Sequence, residues 1–338
     1  MTYIAKWVFI LFSLLLMMVF TPASTPPSIA AAAGPPDNLE KLHQRMLPVF
    51  EIEGVVYTDA NEQTNRLVVA VQNKGLARSI EQRLKAEGIP LELVDIIESE
   101  PIVQLTTLRD NVRPLEGGLQ IQFSNYLCTY GFNATRGGVA GFVTASHCTN
   151  KQGGTEGTLY YQPGTSSTTF IGTEAADPTY FRGGVCPKGK KCRYSDSAFA
   201  ALAAGVTSDL GYIEKTDSMN NGSLNIAGSF HIVSEGASVV GDTVNKVGRT
   251  TGWTQGKVTN TCVNTGVSGT NIVQLCQDFV SAGVQGGDSG SNVFAITSGN
   301  DVQLRGILWG GNKSGTQFVY SPIANVEQSS ELGVLQTY

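Results

Sequence analysis

The distribution of cysteine constrains this chain most. Its six cysteines are Cys128, Cys148, Cys186, Cys192, Cys262 and Cys276, and none precedes Cys128 in a chain of 338 residues. An even number confined to one part of an exported chain reads as three disulfides. Sequence leaves the pairing open, and the neighbouring pairs 128–148, 186–192 and 262–276 are favoured. Zinc is the competing reading. It is weakened because no C-x-x-C occurs and only His147 and His231 follow Gly117.

Export is read from residues 1–33. Lys6 supplies a positive start, and Trp7 to Phe20 is an apolar run of 14 residues. That run falls short of the roughly 20 needed to span a bilayer, so no stable membrane span is expected. A Pro/Ser/Thr/Ala-rich stretch follows, with signal cleavage after Ala23 or within Ala30-Ala-Ala-Ala33. The competing reading is an uncleaved anchor. Both put the rest of the chain outside the cytoplasm, and a secreted, extracellular protein is the expectation.

Residues 38–100 have a different texture, and 101–117 read as a connector. Gly54-Val-Val-Tyr57 and Arg66-Leu-Val-Val-Ala-Val71 read as strands around a turn at Asp59-Ala-Asn-Glu62, and Leu91-Glu-Leu-Val-Asp-Ile-Ile97 as a third. Leu76, Ala77, Ile80 and Leu84 fall at helical spacing, and Gly88 ends that helix. A small α/β unit is predicted here. From Gln120 onward, short apolar runs alternate with Gly/Asn/Ser/Thr turns, as at 139–144, 197–202, 239–247, 302–308 and 317–320. This pattern predicts an all-β sandwich or barrel.

The formal net charge is −5 and neither half of the chain is basic, so nothing points to an electrostatic nucleic-acid partner. Residues up to Glu116 carry 10 Lys/Arg against 14 Asp/Glu, and the rest carry 13 against 14.

Three segments carry chemistry. In Gly141-Phe-Val-Thr-Ala-Ser-His-Cys148, an apolar strand runs into a small-residue turn bearing His147, a base suited to removing a hydroxyl proton near neutral pH. In Gln285-Gly-Gly-Asp-Ser-Gly-Ser291, glycines allow a tight turn that exposes the hydroxyl of Ser289. The N–H groups of Gly287 and Ser289 can then point the same way and receive a developing oxyanion. In Tyr194-Ser-Asp-Ser-Ala-Phe-Ala-Ala-Leu202, Asp196 precedes a small-residue strand, where a half-buried carboxylate can fix the imidazole tautomer. Each motif alone has an ordinary structural reading. Together, in the order His, Asp, Ser along one exported and cysteine-paired chain, they read as a catalytic triad. His231, in an alternating strand, and His43, near the N-terminus, read as structural or solvent-facing.

At these residues the chain resembles the chymotrypsin-like serine endopeptidases, and within them the bacterial streptogrisin and α-lytic protease branch. The matching stretches are Cys128-Thr-Tyr-Gly-Phe-Asn-Ala134, Thr144-Ala-Ser-His-Cys148, Thr250-Thr-Gly-Trp253, Gly287-Asp-Ser-Gly290, Gly306-Ile-Leu-Trp-Gly-Gly-Asn312 and Phe318-Val-Tyr-Ser-Pro-Ile323. The resemblance implies two six-stranded antiparallel β-barrels over residues 117–338, a disulfide between Cys128 and Cys148, and peptide-bond hydrolysis through an acyl-enzyme on Ser289. It implies that residues 34–116 are a pro-region that aids folding and inhibits until cleaved near 114–119. A permanent N-terminal binding domain is the competing reading. It implies a specificity pocket with its base at Gly283 and Val284 and walls from Trp309, Gly310, Gly311, Phe318 and Tyr320. With no charged residue evident there, the residue before the scissile bond is expected to be uncharged and apolar. Protein or peptide substrates, no cofactor, no metal and a monomer after processing complete the expectation.

Three departures from that family bear on the reading. Ser291 stands where a glycine usually follows Asp-Ser-Gly. Trp309 stands where a serine hydroxyl usually supports the catalytic aspartate, and it is the main point for a catalytically silent binding module. Asn245 and Gln255 stand where the bacterial branch often has a disulfide. A basic residue, Lys246 or Arg249, is expected to pair with Asp288, allowing activation without a new N-terminal amine.

Overall fold

The computed structural model describes residues 37–338. The export reading on residues 1–33 lies outside them. Among the described residues no helix is long and apolar enough to cross a membrane. The chain divides into two compact units at Val103/Gln104.

The first unit contains α1 (Asp37–Arg45), β1 (Val55–Asn61), β2 (Arg66–Val71), α2 (Ala77–Ala86) and β3 (Val94–Glu98). β1 and β2 pair antiparallel, and β3 joins β2 in parallel. The helical spacing read from sequence is realised in α2, where Ile80 and Leu84, four apart on one face, are buried against Leu67, Val69 and Val71 of β2. This unit has its own apolar core.

The second unit begins with β4 (Leu115–Gly117), β5 (Gln120–Phe123), β6 (Tyr126–Thr129), β7 (Phe132–Arg136) and β8 (Val139–Thr144). β9 (Leu159–Tyr161), β10 (Phe170–Ala176), β11 (Lys191–Arg193) and β12 (Ala198–Leu202) follow. Its first sheet runs β6-β5-β9-β10-β12-β8-β7. The two ends of that path, β6 and β7, are separated in sequence only by Tyr130 and Gly131, so one bent strand serves both ends and the sheet closes as six strands. Tyr130, Phe142 and Tyr160 fill the interior, with Tyr130 stacked on Phe142 and Tyr160 edge-on to it.

The remaining strands are β13 (Ser208–Thr216), β14 (Ile226–Glu235), β15 (Thr243–Gly248), β16 (Gly252–Gly266), β17 (Ile272–Ser281), β18 (Asn292–Ser298), β19 (Asp301–Gly311) and β20 (Phe318–Pro322). They are followed by the short helix α3 (Ile323–Val326). β17-β16-β15-β18-β19 form a path that β20 closes by pairing with both β19 and β17, giving a second six-stranded barrel. Val244, Val258, Val280, Val293, Leu308, Phe318 and Tyr320 pack together in its core. β14, β13 and β4 extend the sheet beyond β19. The fold is therefore the double β-barrel that the resemblance implies.

The six cysteines form the disulfides 128–148, 186–192 and 262–276. Asn245 and Gln255 face each other across β15 and β16, and Gln255 Nε2 donates to Asn245 Oδ1 at 3.0 Å. A cross-strand side-chain hydrogen bond thus joins the two positions.

Candidate active site

His147 sits in a single helical turn, Ser146–Cys148, directly after β8. The adjacent disulfide ties this turn to β6 through Cys128. Asp196 lies between β11 and β12 and is 1% exposed. Its Oδ1 accepts from His147 Nδ1 at 3.2 Å and from the His147 backbone N–H at 3.0 Å. The sequence separation of 49 residues is closed because β12 pairs with β8, Ala198 opposite Thr144.

The electrostatics of the pair are reciprocal. Burial favours the neutral imidazole, but the charge and hydrogen bond of Asp196 outweigh it and hold His147 above its ordinary value of 6.5. Burial pushes the Asp196 carboxyl up, and the charge and hydrogen bond of His147, then Arg193, bring it below the usual carboxylate value. The His147 side chain is 32% exposed.

Ser289 lies in the turn between β17 and β18 and so comes from the second barrel. It lines one depression of about 420 Å³ together with His147, Phe123, Tyr126 and Leu127. No hydrogen bond joins Ser289 Oγ to the His147 ring among the described residues. Such bonds are often long without substrate and tighten in the complex. Neither the Gly287 N–H nor the Ser289 N–H donates a hydrogen bond among the described residues. Gly287 adopts φ +97°, and a side chain there would meet Thr250 Oγ1 at 2.5 Å, so this turn requires glycine.

Asp288, buried beneath that turn, accepts from the backbone N–H groups of Thr250, Thr251 and Gln285 at 3.0–3.1 Å and from Thr251 Oγ1 at 2.7 Å. Lys246 Nζ lies 3.4 Å from its Oδ2. Burial pulls the Lys246 ammonium below its ordinary value while Asp288 opposes that shift. Arg249, the other basic residue considered, turns to Gln120 Oε1 instead. Ser291 is accommodated in the turn, its Oγ donating to Asp288 O at 2.6 Å.

A cavity of about 620 Å³ opens beside Ser289, lined by Val284, Leu308, Gly310 and Gly311 and by Gln285, Asn312 and Lys313. Four residues expected to form it, Gly283 at the base and Trp309, Phe318 and Tyr320 in the walls, are elsewhere. Phe318 and Tyr320, two apart on one face of β20, point into the second barrel, and the Tyr320 hydroxyl is held by Asp278 and Ser238. Gly283 lines a separate depression with Thr254 and Asn220. Trp309 faces a third, of about 470 Å³, with His147, Gln152 and Asp196.

Two side chains that sequence reasoning missed serve Asp196. Its Oδ2 accepts from Gln152 Nε2 at 3.0 Å and from Gln274 Nε2 at 3.4 Å. The Asp196 N–H donates to Ser321 Oγ, which in turn donates to Gln277 Oε1, and Trp309 Nε1 donates to the same oxygen at 2.7 Å. The indole therefore joins the polar framework behind Asp196 although it brings no hydroxyl.

No protein-family model and no curated protein matches the chain. Among solved structures, Thermobifida fusca Protease A is 24% identical with a TM-score of 0.45, covering 62% of this chain and 91% of its own. A glutamic acid specific serine protease is 24% identical with a TM-score of 0.46, covering 66% of this chain and all (100%) of its own. An alpha-lytic protease homolog, N4, is 22% identical with a TM-score of 0.45, covering 62% and 93%. The structures to which this chain is similar are bacterial serine proteases of the chymotrypsin-like kind.

Proposed function

We propose that this protein is a secreted serine endopeptidase in which His147, Asp196 and Ser289 form the catalytic triad. The observation that carries the reading is the His147 turn clasped at two nitrogens by buried Asp196, opening onto the same depression as Ser289. In the reaction, Ser289 Oγ attacks the scissile carbonyl carbon while His147 Nε2 takes the hydroxyl proton. Asp196 holds the other ring nitrogen protonated and stabilises the imidazolium. The Gly287 and Ser289 N–H groups receive the oxyanion. His147 returns its proton to the leaving amine, and water, activated by the same ring, hydrolyses the acyl-enzyme.

Lys246 beneath Asp288 supports a turn that forms without a new N-terminal amine. Val284, Leu308 and the two glycines favour an uncharged, apolar residue before the scissile bond. Among the described residues Lys313 is the one charged group lining that cavity, and it disfavours a cationic side chain. Residues 34–116 act as a pro-region removed on maturation, a role suited to a unit with its own core. Sequence reading puts the mature N-terminus near 114–119. β4 in that range is buried, whereas Ile102 is 79% exposed, so protease access favours a cut at residues 101–105. The mature protein acts outside the cell on protein or peptide substrates as a monomer.

Fluorophosphonate labelling of the secreted protein near pH 7.5 tests the reading, with Ser289→Ala as control and the product mass measured. Labelling of the wild type alone, on a species lacking the N-terminal unit, is expected. A folded, processed and unlabelled protein would move the assignment to a silent extracellular binding module, the reading that Trp309 favours.

A further inference from the structure

Arg193, at the end of β11, is wholly buried, and each of its five N–H groups has a partner. Nη1 donates to Asp177 Oδ1 at 2.7 Å and to Ser146 Oγ at 3.0 Å. Nη2 donates to the Ser197 carbonyl at 2.9 Å and to Glu331 Oε2 at 3.0 Å, and Nε donates to the same Glu331 oxygen at 3.1 Å. Ser146 immediately precedes His147, and Ser197 immediately follows Asp196. One rigid guanidinium thus spans the backbone neighbours of both residues.

The two carboxylates on Arg193 extend the same function. Glu331 Oε1 accepts from the Tyr194 N–H at 2.8 Å, and its Oε2 accepts from Ser195 Oγ at 2.9 Å, so it clasps the residues leading into Asp196. Asp177 Oδ2 accepts from the Gly153 N–H at 2.7 Å, next to Gln152, which donates to Asp196. Glu331 arrives from the C-terminal segment, which is anchored by buried Leu332 and Leu335 and by pairing of Gln336 with Thr135. A buried charge cluster of this kind is a weak source of net stability, but its planar fork fixes geometry closely.

We propose that Arg193, set in place by Asp177 and by Glu331 from the C-terminal segment, is a positioning residue for the His147–Asp196 pair. Its relevance to turnover rests on the peptidase reading; its coupling to His147 does not. The charged and titratable groups around the cluster are Asp196, Asp177, Glu331 and Tyr180, with Lys191 also over the Tyr180 ring. Removing one carboxylate leaves Arg193 less compensated and disfavours a second cation nearby, the His147 imidazolium.

The test is an NMR titration of the His147 ring in the secreted, processed protein, in wild type, Glu331→Gln and Asp177→Asn. The whole chain has only three histidines, so the signals can be assigned by substitution. Near-UV circular dichroism checks folding, and kcat and KM are measured on an apolar peptide p-nitroanilide. Both variants are expected to titrate His147 at lower pH than wild type, leave His231 unmoved, and lower kcat about tenfold with KM nearly unchanged. Folded variants with unchanged His147 titration and kcat overturn the proposal. Loss of folding in both also overturns it, because Arg193 would then be a stability element. A His147 shift in a protein that never labels at Ser289 would keep the coupling and sink the peptidase reading.

Discussion

Lys246 Nζ lies 3.4 Å from Asp288 Oδ2 with both side chains wholly buried, so the turn that presents Ser289 rests on an internal cation. Replacing Lys246 with Met leaves the buried Asp288 carboxylate its four hydrogen bonds but no cation, which costs up to about 3–5 kcal/mol. A matching fall in stability from urea unfolding, with loss of turnover, is expected. Acetylation of the mature N-terminal amine should leave kcat unchanged; a large loss would mean that a terminal amine, and not Lys246, supports Asp288.

The acid limb of the kcat/KM profile should lie above the ordinary histidine value of 6.5. Burial lowers the His147 value, Asp196 raises it by more, and only the neutral ring can take the Ser289 proton. Activity is therefore absent at low pH and appears as His147 loses its proton. Asp196→Asn should move this limb down and reduce kcat by several orders of magnitude. A limb below the ordinary value in wild type would contradict the pairing.

Gln274→Met removes one of the two amide donors to Asp196 Oδ2 from a buried position outside the substrate-facing depressions. Its effect should fall on kcat, about tenfold, with KM unchanged. Gln152→Ala removes the other donor and also alters a lining residue, so both constants should change. Wild-type kcat in a folded double variant would remove the glutamines from the machinery.

Glu214, 4% exposed on β13, has its carboxyl pushed up to about 8, first by burial and then by the charge of Glu116. The folded state thus holds this proton more tightly than the unfolded chain, whose ordinary value is 4.5. The stability it contributes is present below that value and is lost as pH rises toward about 8. Wild-type Tm should fall over this window, and Glu214→Gln should flatten the slope. An unchanged slope would show that Glu214 already ionises freely in the folded protein.

Residue type and local pattern were enough to put forward His147, Asp196 and Ser289 as candidates, because each sits in a short motif whose backbone demands are local. The Gly287 turn is an example, since its positive φ is written into the sequence as glycine. The helix bearing Ile80 and Leu84 and the short apolar strands were legible for the same reason. Tertiary structure decided the rest. Gln274 reaches Asp196 across 78 residues, and Arg193 meets Glu331 across 138. Glutamine, arginine and glutamate carry no periodic or turn signature that marks them as buried. Phe318 and Tyr320 read as pocket walls, but the register in which β20 sits between β17 and β19 turns their shared face into the barrel core. Sequence by itself determined which side chains could do chemistry, because that is a property of single residues and their neighbours. Which groups hold them, and which surfaces face the open cavity, depended on barrel closure, because only closure brings distant strands to one register.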